Sequence, residues 1–246
     1  MRLHGKTAVV TGGGSGFGAG IAAAFAREGA GVAVVDVDGK AADSIAEVVG
    51  GVGYRCDVTN FAQVKAMIAD VEGAFGGIDI YVNNAGITHP RGPLEDVTES
   101  DFDRVFNVNA KAVYLSAREI VPRMKARGAG AILNIASTAG VSPRAGLNWY
   151  NASKGWMITA TKTMAVELAM HGIRVNAINP VAGETPLLPS FMGEDTPEMR
   201  KAFLATIPMG RFSTPDDIGA AAVFLCSDEA ALVTGVAMEV DGGRCL

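Results

Sequence analysis

The sequence predicts an α/β fold, a doubly wound parallel sheet of about seven strands with helices on both faces. Short apolar runs alternate with longer helical patterns throughout the 246 residues. The chain combines 49% hydrophobic residues and 31 glycines with only 19% charged residues, which suits helices packed closely on a buried sheet. TGGGSGFG follows the first apolar run directly, where a strand would turn tightly into a helix.

The elements follow in order. TAVVT (7–11) is the first strand, and the glycine turn opens a helix over 17–29. GVAVVD (31–36) leads to helix 39–49, GYRCDV (53–58) to helix 60–75, and DIYVNN (79–84) to a long helix over 98–127. AGAILNIAS (129–137) precedes helix 149–171; IRVNAINP (173–180), helix 215–227 and AMEVDGG (237–243) complete the chain. This alternation implies βαβ units with right-handed crossovers. No repeat or linker divides it, so 1–246 reads as one domain. Residues 181–213 break the rhythm with Pro186, Pro189, Pro197 and Pro208. A long segment between strand and helix reads as a substrate lid at about 185–213.

Composition also excludes partners. A net charge of −5 without a basic run argues against nucleic acid and against an anionic membrane surface. No apolar stretch approaches the ~18 residues of a membrane span. TAVVTGG begins almost at once, leaving no room for a signal peptide, so a soluble cytoplasmic protein is expected. Cys56, Cys226 and Cys245 lie far apart without metal-ligand spacing and read as reduced thiols, with no metal site.

Glycines at the first strand–helix turn let the backbone approach a pyrophosphate, which the helix N-terminus holds through its free N–H groups. Gly12, Ser15, Gly16, Phe17 and Gly18 are therefore candidate cofactor contacts. Two registers fit GxGxxA, Gly14–Ala19 and Gly18–Ala23; the second, inside the helix, reads as small-residue helix packing. Asp36 ends the second strand, where a carboxylate accepts hydrogen bonds from the adenosine ribose and repels a 2′-phosphate. No Arg or Lys occurs in 12–18 or 37–39. NAD is favoured over NADP. Asp57 and Val58 are placed to meet adenine, or Asp57 caps the following turn. In NNAG, Asn83 either pins the turn or meets ligand, while Asn84, Ala85 and Gly86 face the cofactor.

YNASK places Tyr150 and Lys154 as an i,i+4 pair on one helical face. A neighbouring ammonium favours phenolate and draws a tyrosine, normally near ~10, toward the working pH as a general acid–base. Ser137, converging from NIASTAG, can hydrogen-bond the substrate oxygen that gains or loses the proton.

With TGGGSGFG, DV at 57–58, NNAG at 83–86, NVNAK at 107–111, Ser137, YNASK, NP at 179–180 and VDGG at 240–243 in this order, the chain resembles the short-chain dehydrogenase/reductase family over essentially its whole length. The resemblance implies a Rossmann-type fold and NAD(P)-dependent hydride transfer between an alcohol and a ketone. It makes Tyr150 the acid–base and Ser137 the holder of the substrate oxygen. Lys154 would lower the Tyr150 pKa and hydrogen-bond the nicotinamide ribose, with Tyr150 also touching the cofactor. Asn109 would kink its helix and bind a water relaying protons to Lys154. One departure is PVAGET: the family usually has PG after the sixth strand. Pro180, Gly183 and Thr185 still fall where they would bracket the nicotinamide amide, and Val181 leaves the backbone path and Glu184 open.

The substrate pocket is expected from 88–94, 138–149 and 185–207. Arg144 and Asn148, with Trp149 and His89, give it polar and aromatic character and favour a sugar, polyol or hydroxy acid. His4 and His171 read as surface residues. The alternatives are a 3-oxoacyl-carrier-protein reductase using NADPH and a non-catalytic dinucleotide-binding protein. Helix 149–171 carries apolar or small residues on most faces, more than one sheet surface buries. The resemblance pairs it with helix 98–127 across a dimer and builds a homotetramer through the last helix and strand, near GGRCL.

Overall fold

The computed structural model describes residues 1–193 and 195–246. Seven parallel strands form one sheet in the order β3-β2-β1-β4-β5-β6-β7: β1 (Thr7–Thr11), β2 (Gly31–Asp36), β3 (Val52–Arg55), β4 (Ile80–Asn83), β5 (Gly130–Ile135), β6 (Ile173–Pro180) and β7 (Ala237–Val240). The order reverses between β1 and β4, so the carboxyl ends of these strands open a crevice there.

Both faces of the sheet are apolar because each face is covered. On one, Val10, Val34, Val82 and Leu133 meet Ile21 and Phe25 of α1 (Gly16–Arg27) and Ile218 of α9 (Pro215–Cys226). On the other, Val9, Val35, Tyr81 and Ile132 meet Ile68 of α3 (Phe61–Phe75), Met124 of α5 (Ala112–Arg127) and Leu168 of α6 (Asn148–Leu168). α2 (Gly39–Val49) covers the β2–β3 edge and starts with a good cap, since Asp38 accepts from the N–H groups of Lys40 and Ala41.

The helix expected over 98–127 is divided. α4 (Glu99–Phe106) passes through a π-helical turn at Asn107–Lys111 into α5. Such turns insert one residue per repeat and re-aim the side chains beyond them. β3 ends at Arg55 rather than at 58, because Asp57 leaves the sheet to cap a turn at Thr59. β7 ends at Val240, where Asp241 accepts from the N–H groups of Gly243 and Cys245 and curls the chain into a turn. Segment 181–213 carries two short helices, α7 (Leu188–Met192) and α8 (Pro197–Leu204). They rest on a separate apolar cluster of Val181, Leu188, Met192, Ile207 and Phe212. Cys56, Cys226 and Cys245 are free thiols, and no helix among the described residues is long and apolar enough to cross a membrane.

Candidate active site

A cavity of about 1080 Å³ lies over the carboxyl ends of the strands. Gly12, Ser15, Gly16 and Phe17 form one wall, and Gly12 (φ +61°) and Gly16 (φ +53°) adopt left-handed backbone that disfavours any side chain. No side chain caps the first N–H groups of α1 and its first turn holds no acid, so that helix end is open to an anion. Asn84 secures the loop: its Nδ2 donates to the carbonyls of Thr11 (2.9 Å) and Gly12 (3.0 Å). Asn84, Ala85 and Gly86 line the cavity as expected. Asn83 instead turns away, bonded to Asn134 and Ser116 in the interior.

Gly18 corrects the sequence reading. It is buried beneath the loop and does not line the cavity; a Cβ there would stand 2.1 Å from the Gly12 carbonyl oxygen. Its role is close packing of helix on strand turn. Gly20, in the alternative register, packs against Pro215 of α9, as expected of helix packing.

Asp36 reaches the cavity from the end of β2. Its Oδ2 accepts from Gly14 N (3.0 Å) and its Oδ1 from Asp38 N (3.1 Å), which fixes the carboxylate. Arg55 is its register partner on β3, but the Arg55 stem packs on Gly39 and stays outside the cavity lining. Asp57 and Val58 line the same end, although the Asp57 carboxylate is committed to Thr59 N (2.9 Å) and Oγ1 (2.7 Å).

Ser137, Tyr150 and Lys154 all line the cavity beyond β4. Ser137 sits just past β5 and Tyr150 in the first turn of α6, so tertiary folding joins what the sequence separates. Tyr150 and Lys154 are buried, at 5% and 4% exposure. The expected lowering of the Tyr150 pKa by Lys154 is not how the charges stand here. Burial pushes the phenol up to about 12, with the Ser137 hydroxyl acting the other way. Lys154 Nζ lies 6.0 Å from the Tyr150 ring centroid and donates to the Ile135 carbonyl (2.8 Å). Burial brings the ammonium itself down to about 8.

Asn109 lies behind this group in the π turn, fully buried. Its Oδ1 accepts from Ile87 N (2.9 Å), and its Nδ2 donates to the Ile87 carbonyl (2.9 Å) and Ser153 Oγ (3.0 Å). The amide is thus used within the protein and does not line the cavity, which makes Asn109 a positioning residue for the strand-end loop and α6.

On the substrate side, Arg144 lines the cavity but Asn148 does not; Asn148 is exposed at the first residue of α6. Trp149 also faces away, donating to the Leu94 carbonyl (3.3 Å) and stacking edge-on with Phe102, and buried His89 is bonded to the Pro90 carbonyl (2.7 Å). In their place stand Asn151, which lies outside the expected segments, and Phe191 and Phe203 from the expected 185–207 segment. Asn151 was visible inside YNASK, but only the bend of the preceding loop brings its side chain inward: Nδ2 donates to the Arg144 carbonyl (2.8 Å) while buried Oδ1 has no partner. The Phe191 ring lies 5.3 Å from that of Tyr150.

The PVAGET path is also settled. Val181, in place of the usual glycine, buries its side chain in the apolar cluster under α7 and α8. Pro180, Gly183 and Thr185 line the cavity, and Gly183 pairs with Ser213. A Cβ on Gly183 would stand 2.3 Å from Phe17 Cζ, and one on Gly16 would stand 3.2 Å from Thr185 Cβ. Glu184 is exposed and outside the cavity lining.

A parallel sheet with an open glycine turn, a carboxylate at the end of β2 and a Ser–Tyr–Lys group lining one cavity defines a class that comparison with known proteins identifies. The family model described as enoyl-(acyl carrier protein) reductase matches residues 12–244. The chain is 47% identical to 4-formylbenzenesulfonate dehydrogenase of Comamonas testosteroni over 99% of both chains. It is 40% identical to galactitol 2-dehydrogenase of Agrobacterium fabrum, again over 99% of both. Among solved structures, 3-ketoacyl-(acyl-carrier-protein) reductase from Brucella melitensis complexed with NADH aligns with a TM-score of 0.94 and 47% identity, covering 99% of this chain and 100% of that one. The chain belongs to the short-chain dehydrogenase/reductase family. It has the family's Rossmann-type fold and a site for a nicotinamide cofactor.

Proposed function

We propose that this protein is an NAD-dependent oxidoreductase interconverting a secondary alcohol and its ketone on a small polar hydroxy compound. The observation that carries the reading is one continuous cavity lined by Asp36 at one end and by Ser137, Tyr150 and Lys154 at the other. The site fits the cofactor: left-handed glycines and an uncapped helix end suit a pyrophosphate, and the fixed Asp36 carboxylate suits a ribose diol rather than a phosphate.

When bound, the nicotinamide supplies the hydride acceptor or donor. The protein does the rest. Ser137 Oγ donates to the substrate oxygen and orients it toward the Tyr150 hydroxyl. Tyr150 takes the carbinol proton in oxidation and returns it in reduction. Lys154, held by the Ile135 carbonyl, is placed to hydrogen-bond the nicotinamide ribose, and Asn109 keeps the loop at Ile87 in register. Segment 185–213, with Phe191 over Tyr150, acts as the lid that excludes water. Tyr114 of α5 and Trp156 and Val166 of α6 are exposed large apolar residues, which supports pairing of two chains through these helices.

The test is absorbance at the reduced-nicotinamide band with NAD or NADP and a panel of sugars, polyols and hydroxy acids. Turnover with NAD is expected. Tyr150→Phe should lose at least ~10²-fold in rate while NAD binding, read by calorimetry, persists; an active variant sinks the assignment. A second reading, 3-oxoacyl thioester reduction with NADPH, has a solved relative named for that reaction, itself complexed with NADH, and predicts turnover of that thioester instead. Tight NAD binding with no turnover of any substrate would mark a non-catalytic dinucleotide-binding protein.

A further inference from the structure

Across β1 and β4 from Asp36, the wall of the cavity carries a guanidinium, that of Arg144. Arg144 lies on the loop between β5 and α6 and lines the cavity beside Ser142 and Asn151. Its guanidinium is held without a carboxylate: Nη2 donates to Thr206 Oγ1 (2.8 Å), and its central carbon lies 3.8 Å from the Phe203 ring centroid. Two further arginines converge on it. Arg244, beyond β7, donates through Nη1 to Ser142 Oγ (3.3 Å), and its buried Nε has no acceptor. Arg91, beyond β4, packs its stem at the Gly146 turn, where an added Cβ would stand 2.9 Å from Arg91 Cγ.

Among the described residues none of these three arginines has a carboxylate within 4.0 Å, whereas elsewhere Arg123 is closed by two and Arg200 and Arg211 by one each. Burial, then Arg244, then Arg91, push the Arg144 guanidinium down to about 10. Two like charges beside a half-buried guanidinium oppose it in the free protein. That opposition is relieved when a negative group joins Arg144, because an opposite charge a few ångströms away favours the charged guanidinium.

We propose that this wall is a subsite for an anionic group, a carboxylate or sulfonate, carried by the substrate at the end remote from its carbinol. The inference rests on the alcohol–ketone reading above and names its substrate class. The guanidinium fork of Arg144 offers paired donors to either anion. Arg244, behind the lining, adds positive charge beside Arg144 through its bond to cavity-lining Ser142. Phe191 beside Tyr150 and Phe203 under Arg144 line the intervening space with apolar surface, which suits an aryl or alkyl spacer. Asn151 Oδ1, an acceptor, is suited to a hydroxyl on that spacer and not to the anion. Within the small polar compounds considered above, the subsite selects hydroxy acids and their sulfonate counterparts over neutral sugars and polyols.

The experiment compares kcat/KM with NAD for 1-phenylethanols bearing a para carboxylate, sulfonate or carboxamide. At least one anion should exceed the neutral amide by ~10–100-fold, as expected for a charge-assisted pair that the amide cannot form. The better of the two anions identifies the group. In Arg144→Met the anion-to-amide ratio should fall toward one, and Arg144→Lys should restore part of it. An amide turned over as well as both anions, or a ratio unchanged in Arg144→Met, overturns the proposal. Calorimetric titration of the wild-type, NAD-loaded protein with benzoate, benzenesulfonate and benzenesulfonamide separates the two readings. If no alcohol is oxidised yet an anion binds at least tenfold tighter than the sulfonamide, the subsite stands and the reaction assigned to the site falls. Equal binding of all three removes the subsite even if alcohols are oxidised.

Discussion

Replacing Lys154 with methionine should stabilise the protein while abolishing its chemistry. Lys154 is 4% exposed, with a single hydrogen bond to the Ile135 carbonyl, and its pKa stands at about 8 in place of 10.5. The folded state therefore disfavours the ammonium. The unfolded chain binds more protons at this position between pH 8 and 10.5, so stability rises with pH across that window. The cost is fully present below pH 8 and fades as pH approaches 10.5; at ~1.4 kcal/mol per pKa unit it amounts to ~3 kcal/mol. Methionine removes the charge at similar length but leaves the Ile135 carbonyl unpaired, a loss of ~1 kcal/mol. At pH 7 the variant should gain ~2 kcal/mol in urea unfolding of the cofactor-free protein, and the difference should shrink by ~2 kcal/mol or more by pH 10. Taking the difference between wild type and variant cancels the other titrating groups. A difference independent of pH would refute the argument that the buried ammonium is the source.

Two further substitutions probe the nucleotide end. Asp36→Ala should release Gly14 N and remove the carboxylate that opposes a 2′-phosphate, so the ratio of NAD to NADP dissociation constants should move toward NADP by ~10-fold or more; an unchanged ratio in calorimetry removes Asp36 from selectivity. Gly18→Ala would drive a methyl against the Gly12 carbonyl, 2.1 Å away, so NAD binding should weaken with a fall in Tm of several degrees, as overpacking costs ~1–3 kcal/mol. Wild-type affinity and Tm in that variant would show the loop to be slack.

What could be read from the sequence divides by the range of the interaction. Strands bounded by apolar runs were legible, because each face of this sheet is buried and the pattern is local. So were Ser137, Tyr150 and Lys154, whose residue types carry the chemistry wherever folding brings them. The break at Asn107–Lys111 came only through the resemblance, which has Asn109 kink its helix, since nothing in NVNAK lowers local helix propensity enough to mark a π turn; Ile87 and Ser153, both distant in sequence, hold Asn109 there. Gly18 looked like a phosphate glycine because spacing alone does not separate a glycine that faces a ligand from one that faces a carbonyl. Asn148 and Asn151 lie one turn apart on the same side of α6, but Asn148 at the helix start is exposed whereas Asn151 is held inward by its bond to the Arg144 carbonyl, a contact set by where the loop delivers the chain. The Lys154 expectation rested on proximity along the helix, whereas burial dominates both groups.

The contact of Phe17 with Gly183, and of Gly16 with Thr185, has a bearing on how this enzyme could be altered. The first turn of α1 and the root of the 181–213 segment leave each other no slack, so any side chain introduced at 183 must displace the Phe17 ring. Changes made in that segment to admit a different alcohol will be felt as altered nucleotide affinity. Substrate range and cofactor strength are therefore not independent dials in this protein, and a redesign of one has to carry compensating changes at the other.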